Sequence, residues 1–272
     1  MTKRAPSRTT KDVLRILSRG SHGGLFSVND AARLLGVSTR LAAIRLAGLA
    51  RQGWLIRVRR GLYSIVPLEA LPSKSTTGED PWIVANVLFT PCYIGGWTAA
   101  EYWGLTEQLF RSTFVVTAAN VRSSAARFLN LDFRIARVAK SRLVGATKLW
   151  RGTEQVLVSD REKTIVDGLS SPEWVGGIRH LAEMLDTYLR DPTRSLDKLT
   201  KRLQESERGA AGKRLGYLID QRWPDLEPLR NAALELKTTG YIRLDPAISS
   251  RGRLNKKWGV WVNVPLERGR HD

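Results

Sequence analysis

The chain is poor in the residues on which much enzyme chemistry depends. Its 272 residues include one cysteine, Cys92, and three histidines. A single cysteine excludes an internal disulfide. Three scattered histidines leave a zinc site without a ligand set and give histidine-based acid–base catalysis little to work with. No apolar run approaches the roughly 20 residues that a membrane-spanning helix needs. The opening residues Met1 to Leu14 are basic but lack the apolar core of a signal peptide, so the expected location is the cytoplasm.

Acidic residues are scarce as well. Lys and Arg number 44 against 26 Asp and Glu, a net charge of +18. Such a field attracts polyanions, either nucleic acid or an anionic membrane surface. Without a membrane segment, nucleic acid is the expected partner. The hydrophobic fraction of 42% supports a real core and argues against global disorder. At this length one large domain or two ordinary ones are expected.

The charge is unevenly spread. Residues 1–72 hold 13 Lys or Arg against 3 Asp or Glu, more than half of the excess in about a quarter of the chain. A Pro/Ser/Thr/Gly-rich stretch from Pro67 to Gly78 then reads as a linker. The expected organisation is a DNA-binding domain over 1–72, a linker over 73–79 and a larger domain over 80–272. No internal repeat is visible.

The first domain reads as a winged helix-turn-helix. Val13, Leu14, Ile16 and Leu17 mark a short amphipathic helix over Lys11 to Arg19, and Leu25-Phe26 a short strand. Ser27 is placed to cap a second helix, with Asp30 three residues on, near the positive end of the helix dipole. Gly36 marks the turn, and Ser38 caps a third helix over Thr39 to Gln52. Ala42, Leu46 and Leu49 share one face of it, leaving Thr39, Arg40, Ala43 and Ala47 pointing away. Short side chains beside an arginine suit a helix lying in the major groove, so Thr39, Arg40 and Ala43 are candidates for base contacts. Two β-rich runs flank Arg60-Gly61 and predict a hairpin tipped with arginines. Arg57, Arg59 and Arg60, together with Arg45, are candidates for phosphate contacts; the competing reading is a solvated surface.

The remainder reads as mixed α and β. Pro81 opens a helix over Trp82 to Phe89. Thr98 is expected to cap a helix that stops at Gly104. Strands are expected at Phe114–Thr117, Phe133–Arg137 and Thr153–Val158. Ser159-Asp160-Arg161-Glu162 has the form of a capping box. Helices follow at Gly177–Leu189, Leu196–Glu205, Ala210–Arg222 and Leu226–Lys237. Tyr241–Leu244 and Gly259–Val264 form an expected closing strand pair. The basic loop between them, with Arg251, Arg253, Lys256 and Lys257, reads equally as solvated surface or as a second DNA contact. The fold class is therefore α+β: an N-terminal winged helix-turn-helix plus a larger mixed α/β C-terminal domain.

Several stretches resemble one family. They are Arg57-Val58-Arg59-Arg60-Gly61-Leu62-Tyr63, then Tyr93-Ile94-Gly95-Gly96-Trp97 through Leu105, then Ser159 through Asp167, then Pro172 through Gly177. Here the chain resembles the AbiEi-type antitoxins of type IV toxin–antitoxin and abortive-infection systems. The resemblance implies a winged-helix repressor that binds inverted repeats in its own promoter, followed by an antitoxicity domain. It also implies a neighbouring toxin of nucleotidyltransferase type, countered without a stable direct complex. Apart from the resemblance, Gly95-Gly96-Trp97 reads as a tight turn beside a packed indole in preference to a phosphate cradle, and Asp160, Glu162 and Lys163 as capping and surface charge in preference to a catalytic set.

Catalytic signatures fail one by one. Pro224-Asp225 with Glu235-Leu236-Lys237 matches the nuclease pattern PD…ExK. Asp225, however, is expected to cap a helix that carries Glu235 about 15 Å along its axis, too far to share a metal. Gly209 to Arg214 lacks the spacing and the Ser/Thr of a P-loop. No Asp-x-Asp pair, His-Glu-x-x-His, Gly-x-Ser-x-Gly or Cys-x-x-Cys occurs. No catalytic residue, cofactor or metal is expected. Three alternatives stay open: a ligand-sensing or dimerising regulator, a DNA nuclease, and an RNA-binding protein, since basic charge alone does not choose between nucleic acids.

Overall fold

The computed structural model describes residues 8–21, 24–65, 80–128, 130–152 and 154–266; the side chains of Arg8, Thr9 and Arg59 also lie outside the description. The expected linker over 73–79, the boundary at residue 72 and the expected strand start at Thr153 lie outside the described residues. The chain groups into two compact units, one of Met1–Thr90 with Phe128–Leu131 and Trp150–Val156, the other of Pro91–Arg127, Asp132–Leu149 and Leu157–Asp272.

The first unit opens with α1 (Arg8–Arg19), β1 (Leu25–Ser27), α2 (Val28–Leu35), α3 (Thr39–Arg51), β2 (Leu55–Arg59) and β3 (Leu62–Ile65). The strands form an antiparallel sheet in the order β1-β3-β2. Leu17, Phe26, Ala42, Leu46 and Tyr63 are buried together as its core. Burying a Leu or Phe side chain contributes about 1.5–3 kcal/mol, enough to hold such short elements that are marginal alone. Ser27 and Asp30 form a reciprocal capping box: the Ser27 hydroxyl accepts from the Asp30 amide at 3.1 Å, and the Asp30 carboxylate accepts from the Ser27 amide at 3.0 Å. Gly36 ends α2 at φ +63°, a left-handed conformation that costs glycine least. The Ser38 hydroxyl then accepts from the Leu41 amide at 3.3 Å and starts α3.

α4 (Pro81–Phe89) belongs to the same unit, with Asp80 accepting from the Trp82 amide at 2.8 Å as its cap. Arg151 ion-pairs with Asp80 at 2.8 Å and lies 4.6 Å from the Trp82 ring centroid.

Next come β4 (Cys92–Ile94), α5 (Gly96–Tyr102), β5 (Ser112–Thr117), β6 (Ala125–Phe128), β7 (Leu131–Arg137), β8 (Ala146–Arg151) and β9 (Glu154–Ser159). Their sheet runs β6-β7-β5-β4-β9-β8. β4 is antiparallel to β5 and parallel to β9, and β5 is parallel to β7. Two expectations fail here. Thr98 does not cap α5. The helix starts earlier, at Gly96 with φ +52°, where a Cβ would collide with the Trp174 carbonyl, and the Thr98 hydroxyl instead accepts from the Phe114 amide at 2.8 Å. Ser159 does not cap the following helix either. β9 runs through Ser159, so the cap falls one residue later on Asp160, which accepts from the Lys163 amide at 2.8 Å.

The rest is α6 (Arg161–Ser170), a 3-10 turn (Pro172–Val175), α7 (Ile178–Arg190), α8 (Leu196–Ser206), α9 (Gly209–Arg222), α10 (Glu227–Glu235), β10 (Ile242–Arg243), β11 (Arg253–Asn255) and β12 (Val260–Val262). Ile165, Leu181, Leu199, Leu215, Leu218 and Trp258 sit in its buried core. The closing strands β10 and β12 are parallel, with β11 antiparallel on the other side of β12. The basic stretch is therefore not all loop, because Arg253 begins β11. Asp225 is not a cap: α10 starts after Leu226 with no side-chain cap. Among the described residues no helix is long and apolar enough to cross a membrane.

Candidate nucleic-acid interface

α3 is two-sided because Ala42 and Leu46 are fully buried against the rest of the winged helix. Residues spaced i, i+4, i+7 and i+11 from Arg40 therefore form the outer stripe. Arg40, Ile44, Ala47 and Arg51 are all exposed there, with Ile44 at 59%. Thr39 is exposed at the first turn, and Ala43 is half-buried at the stripe's edge. Arg45 is exposed but stands apart: five residues beyond Arg40, it is about 140° round the helix, at 100° per residue. It lines a hollow with Thr10 and Val13 of α1. The structure thus groups Arg40 and Ala43 with Ile44, Ala47 and Arg51, and leaves Arg45 on the α1 side. Ile44 was not a sequence candidate, although the helical spacing that selects Arg40 also selects it. An exposed apolar side chain at that position matches the C5-methyl of thymine in a major groove.

The β2–β3 hairpin has a register break between Arg57 and Arg59, and it turns at Gly61 with φ +80°. Its tip is tied down, because the Gly61 carbonyl accepts from the Val28 amide at the start of α2 at 3.0 Å. Arg57 and Arg60 are exposed on it; the Arg59 side chain lies outside the described residues. Among the described residues, Arg40, Arg45, Arg51, Arg57 and Arg60 pair with no carboxylate. Two ion pairs among the described residues of the winged helix are Arg15–Asp12 at 3.5 Å and Arg33–Asp30 at 3.0 Å, both outside the α3 stripe and the hairpin.

This geometry, an arginine-bearing outer helix face beside an arginine-bearing hairpin, falls in a segment with known relatives. Residues 13–66 match the AbiEi antitoxin family of transcriptional regulators. The AbiEi match supports a regulator and antitoxin role, and it ends before α4. Across nearly the whole length the fold is similar to the crystal structure of the RV2827C protein from Mycobacterium tuberculosis. The TM-score is 0.57 at 18% identity, over 95% of this chain and 92% of that one. No curated protein sequence matches the chain.

Asp160, Glu162 and Lys163 turn out not to be surface charge; all three are buried. Asp160 receives Arg202 at 2.7 Å, and Glu162 receives Lys198 at 2.8 Å and the Tyr188 hydroxyl at 3.0 Å. Lys163 pairs with Asp167 at 3.1 Å, and Asp167 also accepts from the Tyr93 hydroxyl at 2.7 Å. Each charge is matched locally, as burial demands. A cavity of about 270 Å³ opens beside this network, lined by Arg142, Lys163, Asp167, Arg202 and Glu205. His180 is buried, with its ring nitrogens against the Val175 carbonyl and the Thr106 hydroxyl. Burial pushes the Cys92 thiol up to about 12, so it stays protonated at neutral pH. Gly95-Gly96-Trp97 is a turn with a packed indole: the Trp97 ring stacks on Phe110 at 4.9 Å and donates to the Ser112 carbonyl at 2.7 Å. Among the described residues no group of three His, Cys, Asp or Glu side chains is placed to hold a metal ion.

In the closing sheet, Arg251, Arg253, Lys256 and Lys257 do not act alike. Lys257 pairs with Asp220 at 2.5 Å, and the Arg251 guanidinium lies 4.1 Å from the Trp261 ring centroid. Arg253 and Lys256 are exposed. Burial would raise the Asp220 pKa, but hydrogen bonds from Lys257 and Trp258 and the charges of Lys257 and Arg230 outweigh it and hold the carboxyl below its usual range.

Proposed function

We propose that the protein is a DNA-binding autorepressor that serves as the antitoxin of a type IV system, with a nucleotidyltransferase-type toxin as its functional partner and no stable toxin complex. Residues 1–72 form the DNA-binding domain, 73–79 the linker and 80–272 the antitoxin domain. Thr39, Arg40 and Ala43, extended by Ile44, read bases in the inverted repeats of its own promoter. Arg57, Arg59 and Arg60 hold phosphates; Arg45 supports from the α1 side. The protein works in the cytoplasm and is not an enzyme.

The observation that carries this reading is that Arg40, Arg51, Arg57 and Arg60 have no carboxylate partner among the described residues, beside a capped α3 and a hairpin tied to α2. Lone exposed arginines add little to stability, whereas a row of them beside a groove-sized helix attracts a phosphate backbone. The nuclease alternative loses support because Asp225 precedes α10 and Glu235 closes it. The test is a titration of the full chain with its promoter duplex at several salt concentrations. If ~6 phosphates are contacted, log K falls with a slope of about −5 against log salt. Co-expression with a neighbouring nucleotidyltransferase gene then reads antitoxicity; absence of both retardation at low salt and rescue would end the proposal.

One observation favours a second reading, a regulator gated by a small ligand. The cavity of about 270 Å³ beside Lys163 and Asp167 is lined by the charged side chains of Arg142, Lys163, Asp167, Arg202 and Glu205, which suit a small charged ligand. Such a ligand would shift both the melting temperature and promoter affinity.

A further inference from the structure

Residues 237–264 are nearly free of acidic groups. They hold six Lys or Arg, and Asp245 is their one carboxylate. That carboxylate is buried and consumed by the amides of Ile178 at 3.0 Å and Ala247 at 2.9 Å. It does nothing to offset the charge outside.

The sheet β10-β12-β11 orders that charge. Arg243, Trp261 and Leu254 lie opposite one another across the three strands, so their side chains share a face. The neighbouring positions Leu244 and Val260 are fully buried, which makes the Trp261 row the outward one. Tyr241 stands beside it, 65% exposed, with its ring centroid 6.4 Å from that of Trp261. The Arg251 guanidinium lies over the indole, 4.1 Å from its ring centroid. The face is therefore a run of flat groups, phenol, indole and guanidinium, rimmed by Arg243 and by Lys256 just past β11; Arg253, opposite Val262, starts from the other face. None of these four basic side chains pairs with a carboxylate among the described residues.

We infer that this face docks an unpaired stretch of RNA, with bases stacking on Tyr241, Trp261 and Arg251 and phosphates meeting Arg243 and Lys256. The inference goes beyond the promoter-binding reading and does not depend on it. Flat aromatic and guanidinium groups interleaved with cations are what unstacked bases on a phosphate backbone require. Duplex DNA keeps its bases stacked and offers nothing to a half-exposed indole. An acidic peptide uses the cations but not the rings. Persistent unpaired segments belong chiefly to RNA loops and ends, which decides the source.

The test uses the full chain and a labelled 12-nucleotide oligouridylate, read by anisotropy and by quenching of tryptophan fluorescence, with oligothymidylate, a 12-base-pair duplex and polyglutamate as competitors. Tyr241→Ala is expected to weaken oligouridylate binding about tenfold, and Tyr241→Phe to restore it. Arg243→Gln with Lys256→Gln is expected to flatten the salt dependence by about 1.4 in slope for two lost single-strand phosphate contacts. Arg57→Ala with Arg60→Ala is expected to leave oligouridylate binding unchanged. The inference is overturned if oligouridylate does not bind at about 0.1 M salt, or if binding ignores Tyr241 and follows the hairpin arginines. Tighter binding of oligothymidylate, or displacement by duplex or polyglutamate at lower concentration than by oligouridylate itself, overturns it as well.

Discussion

The arginines of the winged helix and those of the helical core sit in opposite surroundings. Arg40, Arg51, Arg57 and Arg60 are exposed and unpaired among the described residues. Arg214 is buried, and its guanidinium donates to the carbonyls of Leu244 at 2.9 Å, Leu169 at 2.8 Å, Ser170 at 3.2 Å and Arg243 at 3.1 Å. Burial lowers its pKa to about 10, which leaves it charged at neutral pH. Arg202 and Arg222 are held by Asp160 and Asp186 at 2.7 and 2.9 Å. One residue type thus does two jobs, and only its neighbours tell them apart. Composition counts both kinds as basic, so the 44 Lys and Arg overstate the number of cations free to meet a polyanion.

That contrast can be broken by substitution. Arg214→Met removes a donor from four carbonyls and is expected to have the largest effect, about 3–5 kcal/mol of stability, read by denaturant unfolding. A loss below 1 kcal/mol would mean the buried arginine is no structural tie. Arg40→Ala is expected to relax discrimination by about 1–3 kcal/mol at a single base position in a mutated-operator series, with the melting temperature unchanged. Arg57→Ala with Arg60→Ala should instead lower affinity about tenfold for all sequences alike and reduce the salt slope by about 2. If both replacements gave the same sequence-independent loss, the division between reading and holding would collapse. Ser38→Ala tests the scaffold beneath them: losing the cap of α3 costs about 1 kcal/mol. The smallest effect concerns pH. Asp220 has a depressed pKa in the folded chain, so its contribution is complete above the unfolded carboxylate value of about 3.9 and is lost as pH falls through the lower folded value. Asp220→Asn should therefore lower stability at pH 7 and flatten the acid limb of the stability curve below pH 4.

How much was legible follows from the range of the determining contacts. The winged helix was readable because its signals are local: Ser27 and Asp30 are three residues apart, Gly36 acts alone, and Ser38 reaches Leu41. Four strands escaped, among them β11, which reads in sequence as part of the basic loop. β4 is three residues long, β6 begins Ala125-Ala126, and β8 carries no strict alternation of apolar and polar residues. The buried network was illegible for a different reason. Asp160 finds Arg202 from 42 residues away and Tyr93 finds Asp167 from 74, so nothing near either residue announces its partner. Ile44 was within reach, since the spacing that chose Arg40 also chose it, but attention to charge passed over an apolar residue.

The bond from the Val28 amide to the Gly61 carbonyl has a mechanical consequence. It joins the hairpin to α2, which packs against α3, and so resists a shift of the two cationic projections against each other. They act as the fixed jaws of a calliper. A duplex whose groove and backbone do not match that gap must bend or change groove width to be gripped, and stiff sequences pay more for it. Selectivity would then extend to base pairs that no side chain touches.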